Sequence, residues 1–291
     1  MTFQEGGSFE GGRVRTSRGG KVAAGGGGLV ALVVALVWVF SNGQVDLSGV
    51  TGDSAGGGAT EGTIPKCSAD QANADPACRL SATIQSLDAY WSPTVTAAGA
   101  TFAQPEVLSF EGSADTACGT ASSSTGPFYC PPDATIYLDL GFFDELQSRF
   151  GAEGGPLAEE YVEAHEYGHH VQQITGVMEQ AQRQGTGADS DSVRVELQAD
   201  CYAGMWAGKA ATTVDPDTGV PFLDPITPAT LEQALSAAQA VGDDHIQEQS
   251  GGGVNPDTWT HGSSEQRARW FTTGYEQGTF EACDTFATDA L

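Results

Sequence analysis

Positive charge is what this 291-residue chain has least of. Lysine and arginine total 12 against 38 aspartates and glutamates, a formal net charge of −26. Arg13, Arg15, Arg18 and Lys21 sit in residues 1–21 opposed by Glu5 and Glu10, so that segment is +2 and the remainder −28. A body so acidic excludes nucleic acid and argues against anionic lipid as its partner. It fits solubility in a salty or extracellular medium. The six cysteines lack any C-x-x-C pair, which argues against a zinc ribbon or a thioredoxin-like redox motif. Charge of either sign is missing from residues 22–40. Histidine is scarce, and three of the five fall in one hexapeptide.

The uncharged run, VAAGGGGLVALVVALVWVF, approaches the ~20 residues that span a bilayer. Its basic flank is N-terminal, which places the N-terminus in the cytoplasm. These features predict a disordered basic cytoplasmic tail over 1–21, a transmembrane signal-anchor over 22–41 and a Gly-rich flexible linker over 42–64. The predicted location is a single-pass cell-membrane protein with an extracytoplasmic domain at 65–291. A cleaved signal peptide competes, because the strongly apolar part, 29–40, has the length of an h-region; no clear A-x-A site follows it. Both readings carry the body to where disulfides persist. Six cysteines allow fifteen full pairings, and proximity suggests Cys67–Cys78, Cys118–Cys130 and Cys201–Cys283.

Asp75-Pro76 opens a helical pattern through Leu80, Ile84, Leu87 and Tyr90-Trp91 that should end before Pro93. Val107–Phe110, Phe128–Cys130 and Thr135–Leu140 read as strands, and Phe142–Phe150 as a helix. Pro156 suits a helix first turn and Glu159 and Glu160 its positive end. Leu157, Tyr161, Ala164, Gly168 and Val171 then form one stripe, with Gly168 permitting close approach of a neighbour. A second helix over about 192–211 carries Val193, Leu197, Cys201, Gly204 and Gly208 on one stripe. Thr227-Pro228 opens a third helix, and Ser263 or Ser264 caps a last one ending at Gly278.

The motif helix holds His165-Glu166-Tyr167-Gly168-His169-His170. His165 and His169 lie on one face, one turn apart, as two ligands of a single Zn²⁺ must. Glu166, one residue round, can act as general base without binding the metal. Glu196 and Asp200 repeat the i, i+4 spacing on the second helix. Glu196 is then the third metal ligand, and Asp200 accepts a hydrogen bond from a ligand histidine. Two histidines and one glutamate leave a position open, the catalytic arrangement. The oxyanion needs another donor, for which His261 is the candidate, with Tyr137 and Tyr167 behind it. His170 points off the ligand face and reads as structural. His245 reads as a solvated loop residue, Asp139 as a buried hydrogen-bonding group and Asp215–Gly219 as an exposed turn without the terminal Glu of an EF-hand.

The H-E-x-x-H and E-x-x-x-D pair resembles the gluzincin arrangement of thermolysin-like peptidases. The chain resembles a bacterial family of neutral zinc metallopeptidases through further stretches. These include Phe128–Pro131, Tyr137–Leu140, His165–Gln172, Glu196–Gly204, Gly242–Asp244 and His261–Arg267. The resemblance implies one zinc per chain on His165, His169 and Glu196, with catalysis by Glu166. The expected fold is α+β and zincin-like, a small, mostly antiparallel sheet on a helical bundle, preceded by the transmembrane helix. The expected function is a membrane-anchored extracytoplasmic zinc metallopeptidase acting on a polypeptide or cell-envelope peptide. The alternatives are a catalytically silent, zinc- and disulfide-stabilised envelope binding module and a zinc amidase acting on cell-wall peptides.

Overall fold

A computed structural model describes residues 2–18, 60–181, 185–251 and 253–291. In chain order, β1 is Ser8–Phe9, β2 Arg15–Arg18, β3 Thr60–Thr63 and β4 Cys67–Ser68. Helices α1 (Ala69–Ala74) and α2 (Pro76–Ala97) follow, then β5 (Glu106–Glu111), β6 (Ser113–Thr116), β7 (Gly119–Ser122), β8 (Phe128–Cys130) and β9 (Thr135–Leu138). The remaining helices are α3 (Phe142–Ser148), α4 (Pro156–Ile174), α5 (Val177–Gln180), α6 (Asp191–Ala210), α7 (Pro228–Ala240), α8 (Asp243–Gln249) and α9 (Ser264–Gln277).

The main sheet has the order β3-β2-β5-β9-β8. Its two inner pairings, β2–β5 and β5–β9, are parallel, and only the outer pairs are antiparallel. The fold is α+β, but the sheet is mixed rather than mostly antiparallel. The difference comes from β2, a polar Arg-Thr-Ser-Arg segment that shows no apolar alternation and yet sits between β3 and β5.

Residues 2–18 are therefore part of the domain and not a disordered tail. Phe3, Phe9 and Val14 are buried in the main core, and the Thr2 hydroxyl donates to Glu160 at 2.6 Å. The membrane anchor is corrected with it. No helix among the described residues is long and apolar enough to cross a membrane. The apolar stretch 22–41 and most of the 42–64 linker lie outside the described residues, but their two ends do not. Arg18 pairs with Thr60 in adjacent antiparallel strands. One crossing between them would put β2 and β3 on opposite sides of a membrane, so a single-pass chain with a cytoplasmic N-terminus does not fit this sheet.

The helices follow their signals with one exception. Asp75, Ser190, Thr227 and Ser263 each accept a first-turn backbone N–H, and Pro156 opens α4. The exception is α2, which runs through Pro93 to Ala97. Val95 is fully buried there, and Thr94 Oγ1 donates to the Tyr90 carbonyl at 2.7 Å, so packing carries the helix past the ring. Two close approaches assemble the bundle. A Cβ on Gly168 would stand 3.0 Å from the Ala199 carbonyl oxygen, locking α4 to α6. On Gly204 it would come 2.0 Å from Phe271 O, and on Gly274 1.8 Å from Cys201 O, so α6 and α9 pack backbone to backbone. A smaller apolar cluster, including Phe110, Phe128 and Tyr137, lies under the β6–β7 hairpin. Disulfides join Cys67–Cys78, Cys118–Cys130 and Cys201–Cys283, the pairs that proximity suggests.

Candidate metal centre

The α4–α6 contact brings His165, His169 and Glu196 together, all three buried, with one ligand-type atom from each within 4.8 Å of the others. His165 Nε2 lies 3.2 Å from Glu196 Oε2, and His169 Nε2 lies 3.4 Å from Glu196 Oε1. The other ring nitrogen of each histidine is already held. His165 Nδ1 meets Asp200 Oδ1 at 2.8 Å, and His169 Nδ1 meets Gln172 Oε1 at 2.9 Å. Both acceptors fix the proton on Nδ1, which leaves both Nε2 lone pairs aimed at a carboxylate. That donor set is electrostatically complete only with a cation among the three groups, and it suits zinc, whose ligands are imidazole and carboxylate.

Charge around the centre is strongly organised. Burial would push Glu196 up, but His169 and His165 bring its carboxyl well below the usual range. Burial likewise opposes ionisation of Asp200, and Arg267 and His165 overcome it. Arg267 forks onto Asp200, Nε to Oδ2 at 2.8 Å and Nη2 to Oδ1 at 3.0 Å. Tyr161 donates its hydroxyl to Asp200 Oδ1 at 2.5 Å. His165 would be lowered by burial, but Asp200 and then Glu196 raise it to about 10.

Glu166 is buried on the next position of α4 and, among the described residues, makes no hydrogen bond that would fix it structurally. Burial raises its pKa, with His165 and His169 pulling the other way.

The family model described as "Putative neutral zinc metallopeptidase" matches residues 4–286. The chain belongs to this family. Its relatives include the uncharacterized protein Rv2575 of Mycobacterium tuberculosis H37Rv, 52% identical over 214 residues, 74% of this chain and 72% of the relative. The uncharacterized protein YpfJ of Escherichia coli K12 is 39% identical over 275 residues, 92% of this chain and 89% of the relative. No solved structure matches the chain. Membership of a zinc metallopeptidase family accords with the three-residue group that the bundle assembles.

The other residues that the sequence singles out fall in distinct places. His261 is buried beside the centre, where Glu196 contributes to raising its pKa; burial opposes this and Asp243 is the main cause of the rise. Asp243 Oδ1 meets His261 Nδ1 at 3.0 Å, while its Oδ2 takes the backbone N–H groups of Thr260, His261 and Gly262. Tyr137 and Tyr167 are elsewhere: their hydroxyls donate to Asp133 and Asp88. His170 ties α4 to its surroundings, with Nε2 on the Ala103 carbonyl at 2.7 Å and Nδ1 on the Tyr129 hydroxyl at 3.0 Å. His245 is not a solvated loop residue. It lies on α8 and its Nε2 donates to Phe150 O at 2.7 Å, docking that helix. Asp139 accepts from the Gly141 N–H, and Asp215 closes its own turn through Asp217 and Thr218.

The sequence reading assigned no role to five residues that the centre uses. Tyr161 and Gln172 stand four before His165 and three after His169, a helical spacing that marks them as neighbours. Gln198, Asp243 and Arg267 lie within the family-like stretches, but nothing local says what they touch.

Proposed function

We propose that this protein is a zinc-dependent peptidase in which His165, His169 and Glu196 hold one metal ion and Glu166 is the general base. The observation that carries this is the pair of Nε2 atoms turned on one carboxylate, with a buried glutamate beside them that makes no hydrogen bond among the described residues. A bound zinc ion supplies Lewis acidity, polarising a carbonyl oxygen and acidifying water to a pKa of roughly 7.

The chain's own residues do the rest. Asp200 and Gln172 orient the two imidazoles. Glu166, at the border of the centre, takes a proton from water and returns it to the leaving amine of the peptide. Its burial supports the first half of that shuttle, because a raised pKa makes the carboxylate a better base. His261, held through Nδ1 by Asp243, donates to the carbonyl oxygen as it gains charge.

The test is metal analysis of the full chain followed by cleavage of casein and peptide pools. The parent should hold one zinc and cleave. Glu166→Gln should hold zinc equally well and lose at least about a thousandfold in kcat. Equal turnover by the variant would overturn the role of Glu166. A parent that holds zinc yet cleaves nothing would point to the silent binding module.

A further inference from the structure

A concave site lies where α2, α4, α6 and the C-terminal segment meet. It is a cleft of about 890 Å³. Its chemistry is one-sided. Glu281 and Asp284 line it, and among the described residues no lysine or arginine does. Two helices also end there: α2 through its C-cap Ala98 and α4 through its C-cap Thr175. Helix C-termini present carbonyl oxygens and the negative pole of the backbone dipole, so both add to the field of the carboxylates. Arg194 is directed to the carbonyls of Thr285 and Thr288.

The floor is aromatic and carries a polar atom waiting for a partner. Tyr202 is 2% exposed and lines the cleft, yet its hydroxyl makes no hydrogen bond among the described residues. Burial, with Asp284 adding to it, keeps that hydroxyl protonated. The Tyr202 ring packs edge-on against Phe280 at 5.4 Å between centroids. Phe286, one of the large apolar side chains left exposed, forms another wall. Aromatic faces, carboxylates and helix C-termini together select one kind of guest, an organic cation with an apolar stem. A metal ion would need a tighter set of oxygen ligands than two side-chain carboxylates provide.

We propose that this cleft binds a protonated amine or guanidinium, its charge against Glu281 and Asp284 and its stem against Phe280 and Phe286. The guest would touch the metal centre's framework. Gln198 lines the cleft, donates to the Cys283 carbonyl at 3.1 Å and accepts from Gln172, the residue that holds His169. The proposal stands apart from the peptidase reading, because binding is measured directly and not through turnover.

The experiment is calorimetric titration of the full chain with spermidine, N-acetyl-arginine amide and the uncharged N-acetyl-citrulline amide. At least one cation should bind, about tenfold more weakly at high salt, and citrulline should not. Tighter spermidine would mark a free polyamine as guest, and tighter arginine a polypeptide side chain. Glu281→Gln should weaken the cation about threefold, and Tyr202→Phe by a similar factor. Glu281→Gln breaks no side-chain hydrogen bond among the described residues, whereas Asp284 also caps the Phe286 and Ala287 backbone; an unchanged melting temperature for Glu281→Gln will show that the fold is intact. Equal binding of citrulline, unchanged binding by both variants, or no cation binding up to ~10 mM would overturn the proposal.

Discussion

Arg267 lets Asp200 stay charged where water does not reach. Replacing it with methionine would strand a buried carboxylate, a loss of about 3–5 kcal/mol by urea unfolding. His165 would also lose its fixed orientation, so zinc affinity measured against a chelator should fall about 10- to 100-fold. Arg267→Lys should recover part of the stability but less of the affinity, because lysine lacks the planar fork. Glu160 sets a second residue-scale expectation. Burial, opposed by the Thr2 hydrogen bond, raises its carboxyl from 4.5 to about 7. Between those values the folded chain keeps a proton that the unfolded chain has lost. This contribution therefore favours folding most below pH 4.5, falls away as pH rises to about 7, and is constant above that. Unfolding free energies from pH 4.5 to 8 should show that slope, and Glu160→Gln should remove about 3 kcal/mol of it. At this scale the motif and the i, i+4 spacings were legible in the sequence, whereas Tyr161 and Gln172, although on the motif helix, gave no sign of what they touch. His165, Glu166 and His169 announce themselves, and Asp200 follows from spacing. Arg267 does not, because its partner is 67 residues away.

The backbone contact between α6 and α9 makes the sharpest claim at the level of elements. Gly204→Ala and Gly274→Ala should each cost at least about 3 kcal/mol, since the clashing atoms are carbonyl oxygens that no rotamer change can move. Denaturant unfolding of the two variants checks it. Because α6 carries Glu196 and α9 carries Arg267, both variants should also weaken zinc binding. The stripe Val193, Leu197, Cys201, Gly204 and Gly208 was visible in the sequence as one face, and caps such as Ser263 marked where helices begin. The end of α2 was not visible, because burial of Val95 overrides a local signal. The sheet type was equally hidden: parallel neighbours pair across long stretches of chain, and the polar β2 gives no alternation to find.

For the molecule as a whole, the first strands belong to the same body as the metal centre. A chain beginning at residue 65 would lose the buried Phe3, Phe9 and Val14 and leave the β5 edge open. It should aggregate or elute as a swollen species in size exclusion, while the full chain does not. An equal melting temperature for the two would contradict the integrated N-terminal segment. Composition misled here, since a glycine-rich basic stretch normally lacks the apolar surface to fold. Three buried residues and pairing with distant strands supply what the local sequence lacks. This placement also governs how the protein can be made. Thr2 bonds to Glu160, and Phe3 forms a bridge with Leu223. On a ribosome, Thr2 and Phe3 emerge well before Glu160 and Leu223, the partners they close on. Such non-local closure slows folding, and until Leu223 emerges Phe3 remains open to the wrong neighbour.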